Sequence, residues 1–97
     1  MSIDPRAALR TALSPKSIAV IGASDNTNKI GGRPIAYLSR FGFRGKVFPI
    51  NPMRNEVQGF RSFSAFQDLP EIPDVVIIAV PGELAVQSVQ EIGRAHV

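Results

Sequence analysis

The sequence has no cysteine. That excludes a disulfide scaffold, thiolate ligation of zinc or iron–sulfur clusters, and a cysteine nucleophile. Its single histidine, His96, stands at the far end, so the chain offers neither a histidine metal cluster nor a Ser/His/Asp triad. Tryptophan is absent and aromatic residues make up only 7%. With no basic stripe and no RNP-like aromatic motif, nucleic acid is not an expected partner. No apolar run approaches the roughly 18 residues of a membrane span. Met1-Ser2-Ile3-Asp4-Pro5-Arg6 has no apolar stretch behind a basic start, so a secretory signal is not expected either. The expected compartment is the cytoplasm, with no membrane partner. The carboxylates Asp25, Asp68, Asp74 and Glu83 are scattered, and none is assigned as a catalytic acid or base.

What is there is an ordinary globular composition, 44% hydrophobic and 20% charged over 97 residues, with room for one domain. The net charge of +3 comes from eleven Lys and Arg spread without a run. This reads either as a solvated basic surface or as affinity for a phosphorylated ligand. Residues 1–13 are expected to be an arm or short helix, with apolar Ala7-Ala8-Leu9 and Ala12-Leu13 at helical spacing. Ser17-Ile18-Ala19-Val20-Ile21-Gly22 is a continuous apolar run too short for a helix, the mark of a strand buried on both faces. A small, polar loop covers 23–31. A helix follows from Arg33 or Pro34, with Ile35, Leu38 and Phe41 on one face and Gly42 past its end. Lys46-Val47-Phe48-Pro49-Ile50 is a second strand, whose Pro49 argues for a local edge or a shortened strand. Residues 57–70 are ambiguous: a brief pairing at Val57-Gln58-Gly59-Phe60, then a short helix between Ser62 and Leu69. Asp74-Val75-Val76-Ile77-Ile78-Ala79-Val80 is the clearest strand, and Pro81-Gly82-Glu83 opens a last helix with Leu84, Val86 and Val89 among its apolar positions. The alternation predicts an α/β, Rossmann-like parallel sheet with flanking helices. The expected strand order is 3-2-1, an incomplete doubly wound domain.

In such sheets ligands bind beyond the carboxyl ends of the strands. Three segments answer that description: Gly22-Ala23-Ser24 through Lys29-Ile30-Gly31-Gly32, then Asn51-Pro52-Met53-Arg54, then Val80-Pro81-Gly82. Gly22 lets the chain leave the strand, and Gly31-Gly32 would let backbone approach a ligand at a helix N-terminus, where free N–H groups favour phosphate. The spacing is neither G-x-G-x-x-G nor the Walker lysine pattern. Lys29 and Arg33 strengthen the phosphate reading; their alternative role is solubility. An NAD site usually carries Asp or Glu at the end of the second strand. Asn51 stands there instead, which disfavours a nicotinamide dehydrogenase, although Asn51-Pro52 also reads as a plain turn.

Leu13-Ser14-Pro15-Lys16-Ser17-Ile18-Ala19-Val20-Ile21-Gly22-Ala23-Ser24, with Lys29-Ile30-Gly31-Gly32, resembles the N-terminal CoA-binding domain of NDP-forming (ADP-forming) acyl-CoA synthetases. That family is related to the succinyl-CoA synthetase α-chain. Gly42-Phe43-Arg44-Gly45-Lys46-Val47-Phe48-Pro49-Ile50-Asn51-Pro52 is similar to the family's second strand and loop. Asp68-Leu69-Pro70 and Asp74 through Pro81 match its next strand. The resemblance implies that Gly22, Ala23, Ser24, Lys29, Ile30, Gly31 and Gly32 face the CoA phosphates. It places Asn51, Pro52 and Arg54 near the nucleotide end and Val80 and Pro81 on the pantetheine side. It implies CoA as a bound substrate, and a reaction that makes acyl-CoA, ADP and phosphate from a carboxylic acid, CoA and ATP. ATP/ADP, Mg and the phosphohistidine belong to domains this chain lacks. Alone it would be inactive, working with the remaining synthetase domains or subunit. The alternatives are a stand-alone CoA-binding protein and the CoA-binding part of an acetyltransferase fusion.

The expected domain covers 14–90. Glu91-Ile92-Gly93-Arg94-Ala95-His96-Val97 resembles the translation of a sequencing-adapter read-through, so 91–97 are expected to be a non-native tail. The domain is then truncated, with the crevice beside the first strand left half-built and that strand left as a sheet edge.

Overall fold

The computed structural model describes residues 15–80 and 82–95. The expected N-terminal arm, Pro81 and His96 lie outside the described residues. The elements in chain order are β1 (Ser17–Ile21), α1 (Arg33–Arg40), β2 (Lys46–Ile50), β3 (Glu56–Val57), β4 (Phe60–Arg61), a single 3₁₀ turn (Phe66–Asp68), β5 (Val75–Ile78) and α2 (Gly82–Ala95). β1, β2 and β5 form a parallel sheet, and β3 and β4 form a small antiparallel hairpin.

The Rossmann-like class holds, but the strand order does not. The order is β2-β1-β5, so the third long strand pairs with β1 in register Ile18↔Val75 to Ile21↔Ile78 rather than beyond β2. The reason lies at β2's outer edge, where the place is already taken. Phe63 makes a one-residue parallel bridge to Ile50. Its N–H donates to the Pro49 carbonyl at 2.9 Å, and its carbonyl accepts from Asn51 N–H at 2.9 Å. Pro49 thus presents its carbonyl, and the nitrogen that has no hydrogen, to this edge. No ladder bond to β1 is lost there, which is how a proline sits fully buried within a strand. The chain between β2 and Phe63 is spent on the hairpin, and the chain after it crosses to the far side of β1. β1 is therefore the central strand, not an edge; β5 is the edge.

The sheet's two faces sort by alternation. Ile18, Val20 and Val47 pack with Ala23, Ile35 of α1 and Val57 on one side. Ala19, Phe48 and Ile50 pack with Phe66 on the other, where Ile92 of α2 also lies. Helices thus cover both faces, as continuous apolar strands require. β1 carries four buried residues, whereas Val75–Ile78 are only half-buried because β5 has a neighbour on one side alone. α1 begins and ends as its residues predict, with proline in its first turn, Phe41 as C-cap and Gly42 just beyond at φ +71°. Its apolar face is narrower than expected. Ile35 is fully buried, but Phe41 is 68% exposed and stacks on Tyr37 at 4.4 Å. On α2, Leu84, Val86 and Val89 are exposed.

Candidate functional site

The ladder registers Ile21↔Ile50 and Ile21↔Ile78 bring the carboxyl ends of all three parallel strands together. From β1 the chain leads through α1 to β2 on one side, while β5 lies on the other. The crevice between the loops after β1 and β5 is therefore a topological switch point. Both strands that flank it, β1 and β5, are present, so β1 is not the sheet edge that was expected.

Gly22 makes the turn at φ +81°. A Cβ there would fall 2.5 Å from Val80 Cγ1 and 2.7 Å from the Ala79 carbonyl, so glycine is required both for conformation and for close passage past the β5 loop. Gly22 and Ala23 N–H both point to the Ile50 carbonyl, at 3.2 and 3.3 Å. Gly31 and Gly32 are buried, and the backbone they approach is the protein's own. A Cβ on Gly31 would run into the Gly22 carbonyl, and one on Gly32 into the Asn26 carbonyl.

A cleft of 470 Å³ on one side brings together Gly22, Ala23, Ser24, Lys29, Asn51, Pro52 and Val80. A second, of 490 Å³, shares Gly22, Ser24, Lys29 and Val80 and adds Asn28, Ile30, Gly31 and Ala79. Of the residues expected at the site, Gly32 lies beneath the loop, and Arg54 is held at 3.1 Å by Asp25 outside both clefts. Asn51 sits at the rim but spends its side chain internally. Its Nδ2 donates to the Ala23 carbonyl at 2.9 Å and its Oδ1 accepts from Met53 N–H at 2.8 Å. Arg33 Nη2 likewise donates to the Asn28 carbonyl at 3.1 Å. Lys29 is the cation on the cleft wall, and its ammonium has no ion pair among the described residues.

Beside it, the backbone N–H groups of Ile30 and Gly31 have no acceptor among the described residues. α1 follows at once, with no side-chain cap and no acidic residue in its first turn. Its N-terminal partial positive charge is thus left uncompensated. The first cleft, which Lys29 and Val80 share with the second but Ile30 and Gly31 do not line, adds the apolar side chains of Ile21, Ile50, Phe66 and Leu84. This arrangement accepts an anion at one end and apolar chain along the other. Among the described residues no group of three acidic or histidine side chains could hold a metal ion.

Other residues at or behind the site escaped the sequence reading. Ser64, Ala65 and Phe66 line the cleft from an irregular segment that carries no pattern. Leu84, Gln87, Ser88 and Glu91 line it from α2; their i, i+3, i+4, i+7 spacing marks one helix face and was legible. Gln58, behind the loop, gave no signal: its Nε2 donates to the Ser24 carbonyl at 2.8 Å and the Gly32 carbonyl at 2.9 Å.

A parallel sheet covered on both faces, with a glycine turn and free N–H groups at its switch point, defines a nucleotide-binding protein of Rossmann-like class. More narrowly, the chain belongs to the family described as CoA binding domain, whose model matches residues 16–97. It is 37% identical over 93 residues to the acetate–CoA ligase [ADP-forming] I subunit alpha of Pyrococcus furiosus, covering 92% of this chain and 20% of that one. The dinucleotide-forming acetyl-coenzyme A synthetase 1 of Ca. Korarchaeum cryptofilum, solved in complex with phosphate and ADP, superposes with a TM-score of 0.82. It is 37% identical, over 90% of this chain and 19% of that one. A conserved hypothetical protein from Pyrococcus furiosus superposes at 0.75 with 32% identity, over 84% of this chain and 69% of that one. Against relatives such as the trans-feruloyl-CoA synthase FCS1 and the acetate–CoA ligase [ADP-forming] II of Archaeoglobus fulgidus, the chain spans 12% of their length. The chain is a CoA-binding domain homologous to a short part of ADP-forming acyl-CoA synthetases. No helix among the described residues is long and apolar enough to cross a membrane.

Proposed function

We propose that the crevice between the β1 and β5 loops binds CoA, with its phosphates at Lys29 and the Ile30 and Gly31 N–H groups and its pantetheine along Val80. Asn51 and Pro52 border the nucleotide end. The observation that carries this reading is the convergence of a cation without an ion pair and backbone donors without acceptors on one wall of an apolar crevice. Backbone donors at a helix N-terminus are well placed to take a phosphate oxygen. Asn51 points away from NAD. A ribose contact needs an acceptor at this place, and the Asn51 Oδ1 already accepts from the Met53 N–H.

The reaction served is acyl-CoA formation from a carboxylic acid and ATP with release of ADP and phosphate. In that reading this chain holds CoA, while ATP, Mg and the phosphorylated histidine are handled by further synthetase domains or a partner subunit, in the cytoplasm. The chain alone then binds CoA and makes no acyl-CoA. A second reading has an observation of its own: the chain covers most of a small protein, the 69% of the Pyrococcus furiosus hypothetical protein, which fits a stand-alone CoA binder. The coding sequence that adjoins this chain's separates the two, since a histidine-bearing domain and an ATP-grasp region belong only to the synthetase.

Isothermal titration of the chain with CoA, dephospho-CoA and NAD tests the site. CoA is expected to bind most tightly; tighter binding of NAD would overturn the reading.

A further inference from the structure

We infer that Gln58 is a positioning residue, a latch that sets the shape of the ligand loop from behind. Gln58 and Gly59 are the two central residues of the β3–β4 hairpin, at φ +49° and +86°. Two successive positive φ values belong to a tight hairpin turn that favours Asn, Asp or Gly at its first position. Gln58 is the only non-glycine residue with positive φ among the described residues. Its length accounts for the choice. The side-chain amide reaches across to the β1 loop, and Nε2 uses both its hydrogens, on the Ser24 carbonyl at 2.8 Å and the Gly32 carbonyl at 2.9 Å. Its own N–H donates to Asp25 Oδ1 at 2.7 Å. An asparagine suits the turn better but is one methylene too short to span both carbonyls.

The two carbonyls are the ends of the loop. Ser24 lies on the wall of both clefts, and Gly32 is the N-cap of α1. One amide that holds both fixes the separation between the turn after β1 and the helix N-terminus. Lys29, Ile30 and Gly31 lie between these two points. Gln58 lines neither cleft, so it acts through the loop and not by contact. This inference rests on the CoA reading for its ligand, but the order of the loop is measurable without one.

The test uses Gln58→Gly, Gln58→Asn and Gln58→Met in the 97-residue chain, read by amide hydrogen exchange over 24–32, thermal melting and CoA titration. Gly and Asn suit the turn, so melting is expected to fall less than with Met, while the loop amides exchange faster and CoA binds about tenfold more weakly. Met keeps the length without the donors and is expected to loosen the loop equally. A turn-forming role alone predicts the reverse pattern: Gly and Asn would retain loop protection and affinity, and that result overturns the latch. Faster exchange with unchanged CoA affinity overturns the positioning role. If the unsubstituted chain binds no CoA, the CoA reading fails, and loop exchange in the three variants alone decides the latch.

Discussion

The side-chain amide of Asn51 donates to the backbone carbonyl of Ala23 at 2.9 Å, tying the loop after β2 to the turn after β1. In a dinucleotide site the residue at this place works outward, on the ligand. Here it works inward, with Oδ1 occupied by the Met53 N–H and Nδ2 by Ala23. Asn51→Asp keeps the first bond and sets a carboxylate oxygen against the Ala23 carbonyl in place of the second. The expected cost is roughly 1–3 kcal/mol of stability, read by urea denaturation, with no gain of NAD binding. A variant as stable as the parent would show that the tie contributes nothing.

The glycine pair makes a sharper prediction. Gly31→Ala and Gly32→Ala each drive a Cβ into a backbone carbonyl oxygen, which cannot swing aside as a side chain can. Each is expected to lower stability by about 3 kcal/mol or more, a large share of the whole for a chain of this size. Gly82→Ala, at an exposed site with open space around the new Cβ, is expected to change it by less than about 1 kcal/mol. Circular-dichroism melts of the three variants check the ranking.

Much of this was readable from residues alone, and the failures have physical causes. Apolar runs identify Ser17–Ile21, Lys46–Ile50 and Val75–Ile78 as strands because a buried parallel strand needs no polar face. Asp74, which opens the last of these runs, stands just before β5, and its Oδ2 accepts the Lys16 N–H at 2.7 Å. Strand order was misread because it depends on which edge is open, and a single residue, Phe63, closes the edge beyond β2. One bridging residue leaves no periodic trace. The glycines were visible as glycines, but whether the close neighbour of Gly31 is ligand or protein is a question of tertiary placement. Gln58 was illegible for the same reason: its two acceptors lie 34 and 26 residues away in sequence.

Ile35 and Phe41 share one helix face by spacing, and the structure separates them. Ile35 is fully buried against β1 and β2 residues, whereas Phe41 is 68% exposed and touches Tyr37. Ile35→Ala is expected to cost about 2–5 kcal/mol. Phe41→Ala loses only a surface ring pair, about 0.5–1.5 kcal/mol. Equal losses in chemical denaturation would mean that α1 is rotated about its axis relative to this packing.

Lys29 and Arg54 look equivalent in the sequence, a cation in each of two loops beyond the strand ends, and the structure makes them unequal. Arg54 is paired with Asp25 at 3.1 Å, with side chains 60% and 40% exposed, and lines neither cleft. A pair that exposed contributes at most about 1 kcal/mol to stability. Arg54→Ala is therefore expected to shift stability slightly and to leave CoA affinity within about twofold. Lys29 has no partner to lose, so Lys29→Ala is expected to leave the melting temperature unchanged. Lys29 lines both clefts, next in the chain to Ile30 and Gly31, which line the second. A charge-assisted contact to phosphate is worth roughly 1.5–3 kcal/mol, so the same substitution should weaken CoA by about 10- to 100-fold. Salt supplies an independent check. Raising ionic strength screens an exposed cation–phosphate contact, so the parent's affinity should fall with added NaCl, and the Lys29→Ala variant's should fall less. A larger loss from Arg54→Ala than from Lys29→Ala would place the phosphates at the β2 loop and overturn the assignment of the crevice.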